Sequence, residues 1–231
     1  MPRPFLTAEW RHLVMLNYRV DEKLLQPYVP AGTELDTHDG ACYASVVAFQ
    51  FVGTRVLGIP IPFHRDFTEL NLRFYVRRTV NGPPRRGVVF IREVVPRRAI
   101  ALIARIVYNE PYVTLPMRSV VAGDVRHEWK LGGRWHSVTA VPGGTDTAPL
   151  PGSHEEFITD HEWGYTRQRD GGTIEYRVQH DLWPVRRATN VRIDADFSGL
   201  YGSTLGAALT EPVTAFVVEG SPVTVGKPVR V

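Results

Sequence analysis

The run Phe67-Thr68-Glu69-Leu70-Asn71-Leu72-Arg73-Phe74-Tyr75-Val76 sets a carboxylate, an amide, a guanidinium and a phenol at every second position. With a side-chain period of two, Glu69, Asn71, Arg73 and Tyr75 share one face of a β-strand and Leu70, Leu72, Phe74 and Val76 the other. A carboxylate in that row can move a proton, and a guanidinium can hold an anion or a developing oxyanion. The face either meets water, as in a half-buried antiparallel strand, or lines an enclosed pocket. Phe63 before the run and Val88-Val89-Phe90-Ile91 soon after it are bulky and apolar, so a pocket explains both faces better.

Other chemistries find little support. The eight histidines, His12, His38, His64, His127, His136, His154, His161 and His180, form no i, i+4 pair, so a metal site would need long-range assembly. Ser203 lies in Tyr-Gly-Ser-Thr-Leu, which is not the Gly-x-Ser-x-Gly elbow, and no glycine-rich phosphate cradle occurs. The chain is expected to work without a cofactor. The single cysteine, Cys42, falls in an apolar strand and reads as a small buried residue rather than a nucleophile.

The elements that must position the polar row are mostly strands. Residues 10–20, 41–52, 67–76 and 87–95 read as strands, the last two joined by the turn Asn81-Gly82-Pro83-Pro84 as an antiparallel pair. Asp21 caps a short helical turn. Pro96 opens the principal helix, to Asn109, whose Ala99, Ile100, Leu102, Ile103, Ile106 and Val107 cover most of its circumference and predict burial on several sides. Arg105 in such a helix needs a partner or a route to solvent. Strands at 124–131 and 134–141 flank the Gly132-Gly133 hairpin turn, and a capping box at Ser153-His154-Glu155-Glu156 starts a short helix. Strands at 164–169 and 173–181 flank Asp170-Gly171-Gly172, and two more are expected at 213–218 and 223–231 around Glu219-Gly220-Ser221-Pro222. Many short strands with one principal helix predict a mainly β, mostly antiparallel, barrel-like domain over residues 1–231.

A chain of 231 residues that is 43% hydrophobic can build one large core. The net charge is +3, and the 27 basic residues, only three of them lysines, are dispersed, with no basic stripe of interleaved aromatics to bind nucleic acid. No apolar run is long enough for a membrane span, and Met1-Pro2-Arg3-Pro4-Phe5 lacks the features of a signal peptide, so a cytoplasmic protein is expected.

Asn17-Tyr18-Arg19-Val20-Asp21, the stretch from Val29-Pro30 to Glu34-Leu35, Phe67-Thr68-Glu69 and residues 99–111 resemble acetoacetate decarboxylase in order and spacing. The whole pattern, with Gly87-Val88-Val89-Phe90 and the closing Glu219-Gly220 segment, is most similar to the uncharacterised YqjF-like branch of that superfamily. The resemblance implies a cone-shaped β-barrel around a largely apolar cavity, and a homo-oligomeric assembly. It also implies a lysine nucleophile, a second lysine, two glutamates and an arginine. Aligned on Pro111, the lysine pair becomes Tyr112 and Val113; one glutamate is retained as Glu69, the other falls at Ala44 or Ser45, and the arginine matches Arg11. Without a buried amine, imine-based decarboxylation is disfavoured.

Two functions remain. The first is a lyase-, isomerase- or cyclase-type enzyme working by acid–base chemistry on a keto or polyketide-like molecule. Glu69, Arg11 and Tyr112 would be catalytic, and Asn71, Arg73, Arg105 and Tyr108 would bind substrate. The second is a non-catalytic protein that binds a small organic acid through the same groups. Each residue also has a structural alternative, such as a Glu69–Arg73 ion pair along the strand.

Overall fold

A computed structural model describes residues 4–231 of the chain. Met1, Pro2 and Arg3, part of the stretch read for a signal peptide, lie outside the described residues. The first half of the chain runs β1 (Leu6–Arg19), α1 (Glu22–Leu25), β2 (Glu34–Leu35), β3 (Tyr43–Val56), β4 (Ile59–Pro60), β5 (Phe67–Arg78), β6 (Arg85–Val95), α2 (Arg98–Val107) and β7 (Tyr112–Thr114). Next come β8 (Met117–Val121), β9 (Val125–Leu131), β10 (Arg134–Pro142), α3 (His154–Thr159), β11 (Trp163–Arg167) and β12 (Thr173–His180). The chain closes with β13 (Arg186–Asp194), α4 (Phe197–Tyr201), α5 (Ser203–Ala208), β14 (Thr214–Val225) and β15 (Val229–Arg230).

The local turn chemistry acts as its residues dictate. Gly132 and Gly133 both take positive φ, 58° and 83°, in the two-residue turn that joins β9 to β10. The hydroxyl of Ser153 accepts from the Glu156 amide at the start of α3. β5 and β6 pair antiparallel from Leu70↔Val94 to Arg78↔Arg85.

The fold is mainly β as expected, but the expectation of an antiparallel barrel needs correction, because the strands form one mixed sheet. Its path runs β15-β12-β11-β6-β5-β3-β1-β14-β13-β10-β9-β8, and β12 pairs in addition with β14. β6 is the source of the mixing: beyond β5, its other edge carries β7 and β11, both parallel to it. A parallel neighbour cannot follow through a hairpin, and α2 supplies the crossover from β6 to β7. Three other expectations change. β14 runs unbroken through Glu219-Gly220-Ser221-Pro222 instead of turning there. β13, α4 and α5 occupy a segment that showed no element signal. The principal helix is covered on one side only: Ile100, Ile103 and Ala104 face inward, while Leu102 and Ile106 are 58% and 73% exposed.

β5 lies between β3 and β6, and every residue from Phe67 to Val76 is buried. On one side Leu70, Leu72, Phe74 and Val76 pack with Val14, Val46 and Trp129. The other side faces a second apolar cluster around Leu13, Phe49 and Trp183.

Two β-bulges decide which side chains join that second side. In β1 the pairing passes from Arg11↔Gly220 to Leu13↔Val218, with His12 at φ 54°, so that Trp10 and Leu13 point the same way. In β6 it passes from Leu72↔Arg92 to Arg73↔Phe90, so that Phe90 and Glu93 point the same way. Gly220 makes the first bulge possible. Its φ is +91°, and a Cβ there would lie 1.9 Å from the carbonyl oxygen of Trp10. Gly220→Ala should therefore cost about 2–4 kcal/mol in denaturant unfolding. Gly171→Ala, also at positive φ but with open space around it, should cost only about 1 kcal/mol. Equal losses at the two sites would show that the close approach to Trp10 contributes nothing.

Candidate active site

The register of three strands assembles the site. Asn71 on β5 lies opposite Glu93 on β6, and Glu93 lies beside Tyr112 on β7, so the three form one row, with Glu69 one pleat away on β5. Glu110 joins from the connection between α2 and β7. There α2 ends at Tyr108, and Asn109 takes the left-handed conformation, φ 57°, that asparagine tolerates at a helix end.

These groups line a cavity of about 110 Å³. Its walls are otherwise apolar: Trp10, Phe49, Phe51, Phe67 and Phe90 come from the sheet, and Ile100, Ile103 and Ala104 of α2 form its cover. A mostly apolar space of this kind suits a small organic molecule.

Glu69 is 3% exposed. Its Oε2 accepts from the Tyr112 hydroxyl at 3.1 Å, and its Oε1 accepts from Asn71 Nδ2 at 3.1 Å. Burial pushes its carboxyl up to about 7; those two hydrogen bonds pull the other way, and the charge of Glu110 adds to the rise. Glu110 is also pushed up to about 7 by burial, against hydrogen bonds donated to its Oε1 by Thr166 and, at 2.7 Å, by Tyr176. Glu93 lies well above the usual carboxylate range, from burial first and then the charges of Glu110 and Glu69. Burial and the same carboxylates hold the Tyr112 and Tyr176 hydroxyls in their neutral, donating form. The Tyr176 ring can reach Glu110 because its cross-strand neighbour is Gly164, where a Cβ would lie 2.2 Å from the ring.

Arg73 lines the same cavity, four residues from Glu69 and thus about 13 Å farther along the strand. Its Nη2 donates to the Ile158 carbonyl at 3.1 Å, its Nε has no partner in the protein, and it makes no ion pair among the described residues. The Glu69–Arg73 salt bridge considered above does not form.

Four further expectations resolve separately. Asn71 lines the cavity, and its Oδ1 has no protein partner. Tyr108 contributes its ring, but its hydroxyl donates to the Gly226 carbonyl at 2.9 Å. Arg11 is outside the cavity. The β1 bulge turns it away from Trp10 and Leu13, and it pairs with Glu9 at 2.6 Å and with Glu219 at 3.9 Å. Arg105 is exposed on the outer side of α2, having found the route to solvent that a helix covered on one side allows.

Sequence reasoning missed Glu93, Glu110, Trp10 and Tyr176. The one signal for Glu93 was a charge inside an apolar strand, and for Glu110 a carboxylate beside Pro111. Among the described residues no group of three His, Cys, Asp or Glu side chains is arranged to hold a metal ion, and no helix is long and apolar enough to cross a membrane.

Comparison with solved structures gives the fold a context. The chain is similar to an acetoacetate decarboxylase from Legionella pneumophila subsp. pneumophila str. Philadelphia 1, with a TM-score of 0.69 and 15% identity over 99% of this chain and 87% of that one. It is similar to the enduracididine biosynthesis enzyme MppR complexed with pyruvate, with a TM-score of 0.66 and 14% identity over 100% and 91% of the two chains. An acetoacetate decarboxylase-like enzyme from Sphingomonas wittichii RW1 aligns with a TM-score of 0.64 and 16% identity over 98% and 92%. At these identities the likeness is one of fold, and these neighbours of the fold are enzymes. In sequence, the uncharacterized protein YqjF of Bacillus subtilis (strain 168) is 35% identical over 116 residues, which are 50% of this chain and 46% of that protein. The match thus spans less than half the length of that relative. A family model described as an uncharacterized conserved protein matches residues 7–222, nearly the whole chain, and the protein accordingly belongs to the DUF2071 family, built on an acetoacetate decarboxylase-like fold.

Proposed function

We propose that this protein is a small-molecule enzyme that moves a proton next to a carbonyl group, with Glu69 as the base and Tyr112 as the hydrogen-bond donor. The observation that carries the proposal is the Glu69–Tyr112 contact inside an apolar cavity. A carboxylate whose proton affinity is lifted to about 7 is poised for exchange near neutral pH, and a neutral phenol beside it can stabilise a developing enolate oxygen. Asn71 orients Glu69. Arg73 supplies the charge that would anchor a substrate carboxylate, since its Nε is free and no acidic side chain neutralises it among the described residues. A carbonyl-containing organic acid fits this pattern, and the pyruvate complex of MppR supports that class for the fold. Isomerisation, dehydration and cyclisation all begin with such a proton transfer.

The imine route has no nucleophile. The three lysines, Lys23, Lys130 and Lys227, are all exposed, so none gains the depressed pKa that attack on a carbonyl requires. Incubation with pyruvate followed by borohydride should leave the intact mass unchanged. A covalent adduct on any lysine would overturn the imine-free mechanism.

Glu69→Gln keeps the size and one of the two accepted hydrogen bonds but removes the proton acceptor. Turnover should fall about 10²-fold or more while ligand affinity changes little. In the wild type, turnover should fall as pH drops through about 7 and Glu69 becomes protonated. The same substitution should stabilise the unliganded protein. Because burial raises this pKa, the stability linked to Glu69 is full below its unfolded value of about 4.3 and declines as pH rises through about 7. The gain in Tm from Glu69→Gln should therefore be larger at pH 8 than at pH 5. A variant with full turnover would return the protein to the binding-only function, with Arg73 and Asn71 merely orienting an acid.

A further inference from the structure

We propose that the molecule bound in this cavity carries a protonated amine, and that Glu93 and Glu110 hold it. The inference deepens the function above and rests on the cavity being a small-molecule site.

Glu69, Glu93 and Glu110 are 3%, 3% and 4% exposed, and none forms an ion pair among the described residues. Their partners bring no positive charge: Tyr112 and Asn71 for Glu69, Tyr176 and Thr166 for Glu110, and for Glu93 the Tyr112 hydroxyl and the Glu110 carboxyl itself. Two oxygens remain, Oε2 of Glu93 and Oε2 of Glu110, both buried and neither receiving a hydrogen bond from an N–H or hydroxyl donor among the described residues. A carboxylate taken out of water without a cation is costly, and these three raise each other's cost by mutual repulsion. Among the described residues no cation pairs with these acids: the lysines are exposed, and Arg73, about 13 Å from Glu69 along the strand, makes no ion pair.

An alkylammonium group answers each of these features. Its three N–H donors can satisfy both unpartnered oxygens, and its charge relieves the repulsion. The corner is walled by Tyr108, Tyr112 and Tyr176, and aromatic rings favour a neighbouring cation over a neutral group of the same size. A divalent metal answers them less well, because no three acids are set for coordination among the described residues. The substrate class is thereby narrowed to a small carbonyl compound or organic acid that also bears an amine.

The test uses inert probes, so that binding is read without turnover. The full chain is unfolded thermally at constant ionic strength and pH 8 with n-propylammonium, n-propanol, propionate or magnesium chloride. Propylammonium should give a saturable rise in Tm of about 5 °C or more, and propanol and magnesium should not; any rise with propionate belongs to Arg73 and should be unchanged in the glutamate variants. Either single variant, Glu93→Gln or Glu110→Gln, should weaken the amine at least tenfold; the two are made separately, so one folded variant suffices. An equal response to propanol, a response to magnesium alone, or undiminished amine affinity in a folded variant would overturn the proposal. The turnover test on Glu69 is independent. An amine-blind cavity leaves the Glu69 assignment standing, and an inactive role for Glu69 leaves amine binding standing.

Discussion

From Phe67 to Val76, β5 has a strand on each edge and an apolar layer on each face, so none of these side chains can settle its polarity in bulk water. Everything around it answers that constraint. The hydroxyl of Tyr112 and the amide of Asn71 meet Glu69, and a main-chain carbonyl meets Arg73. Several polar atoms left without a hydrogen-bond partner among the described residues, including Oε2 of Glu93 and of Glu110, Oδ1 of Asn71 and Nε of Arg73, belong to residues that line one cavity. A fold selected only for stability would replace such groups with apolar side chains. Their retention is the physical reason to treat this corner as functional.

The sequence made the central strand legible because its alternation is strict. Leu70, Leu72, Phe74 and Val76 enter one core, and the opposite row enters the cavity, as the period of two requires. The rest was hidden where the period breaks. Strict alternation from Phe90 would place Arg92 in the cavity and Glu93 in the core. The bulge reverses this: Ile91 packs into the core beyond β5, and Arg92 reaches the Leu200 carbonyl there. Alternation back from Leu13 would place Arg11 in the cavity, and the bulge at His12 sends it instead to Glu9 and Glu219. One inserted residue in each strand therefore admits an acid and removes a base, and a single sequence carries no mark of either.

Non-local partnerships were hidden for a different reason. Glu110 and Tyr176 are 66 positions apart, and their contact depends on Gly164, whose missing side chain leaves room for the tyrosine ring. The parallel pairing of β6 with β7 follows from a helical crossover, which a search for hairpin turns cannot anticipate.

The crossover helix also covers the cavity. β6 ends at Val95 and α2 begins at Arg98; α2 ends at Val107, and Glu110 follows three residues later. The cover is thus tied by a few residues at one end to the strand that carries Glu93, and at the other to Glu110 itself. A hinged flap on long tethers could open and leave the chemistry undisturbed. This one cannot: any movement that lets a molecule in or out pulls on the acids that would receive it. Admission of the ligand and alignment of the carboxyls are a single mechanical coordinate, so rates of entry and of proton transfer should respond together to changes in the tethers.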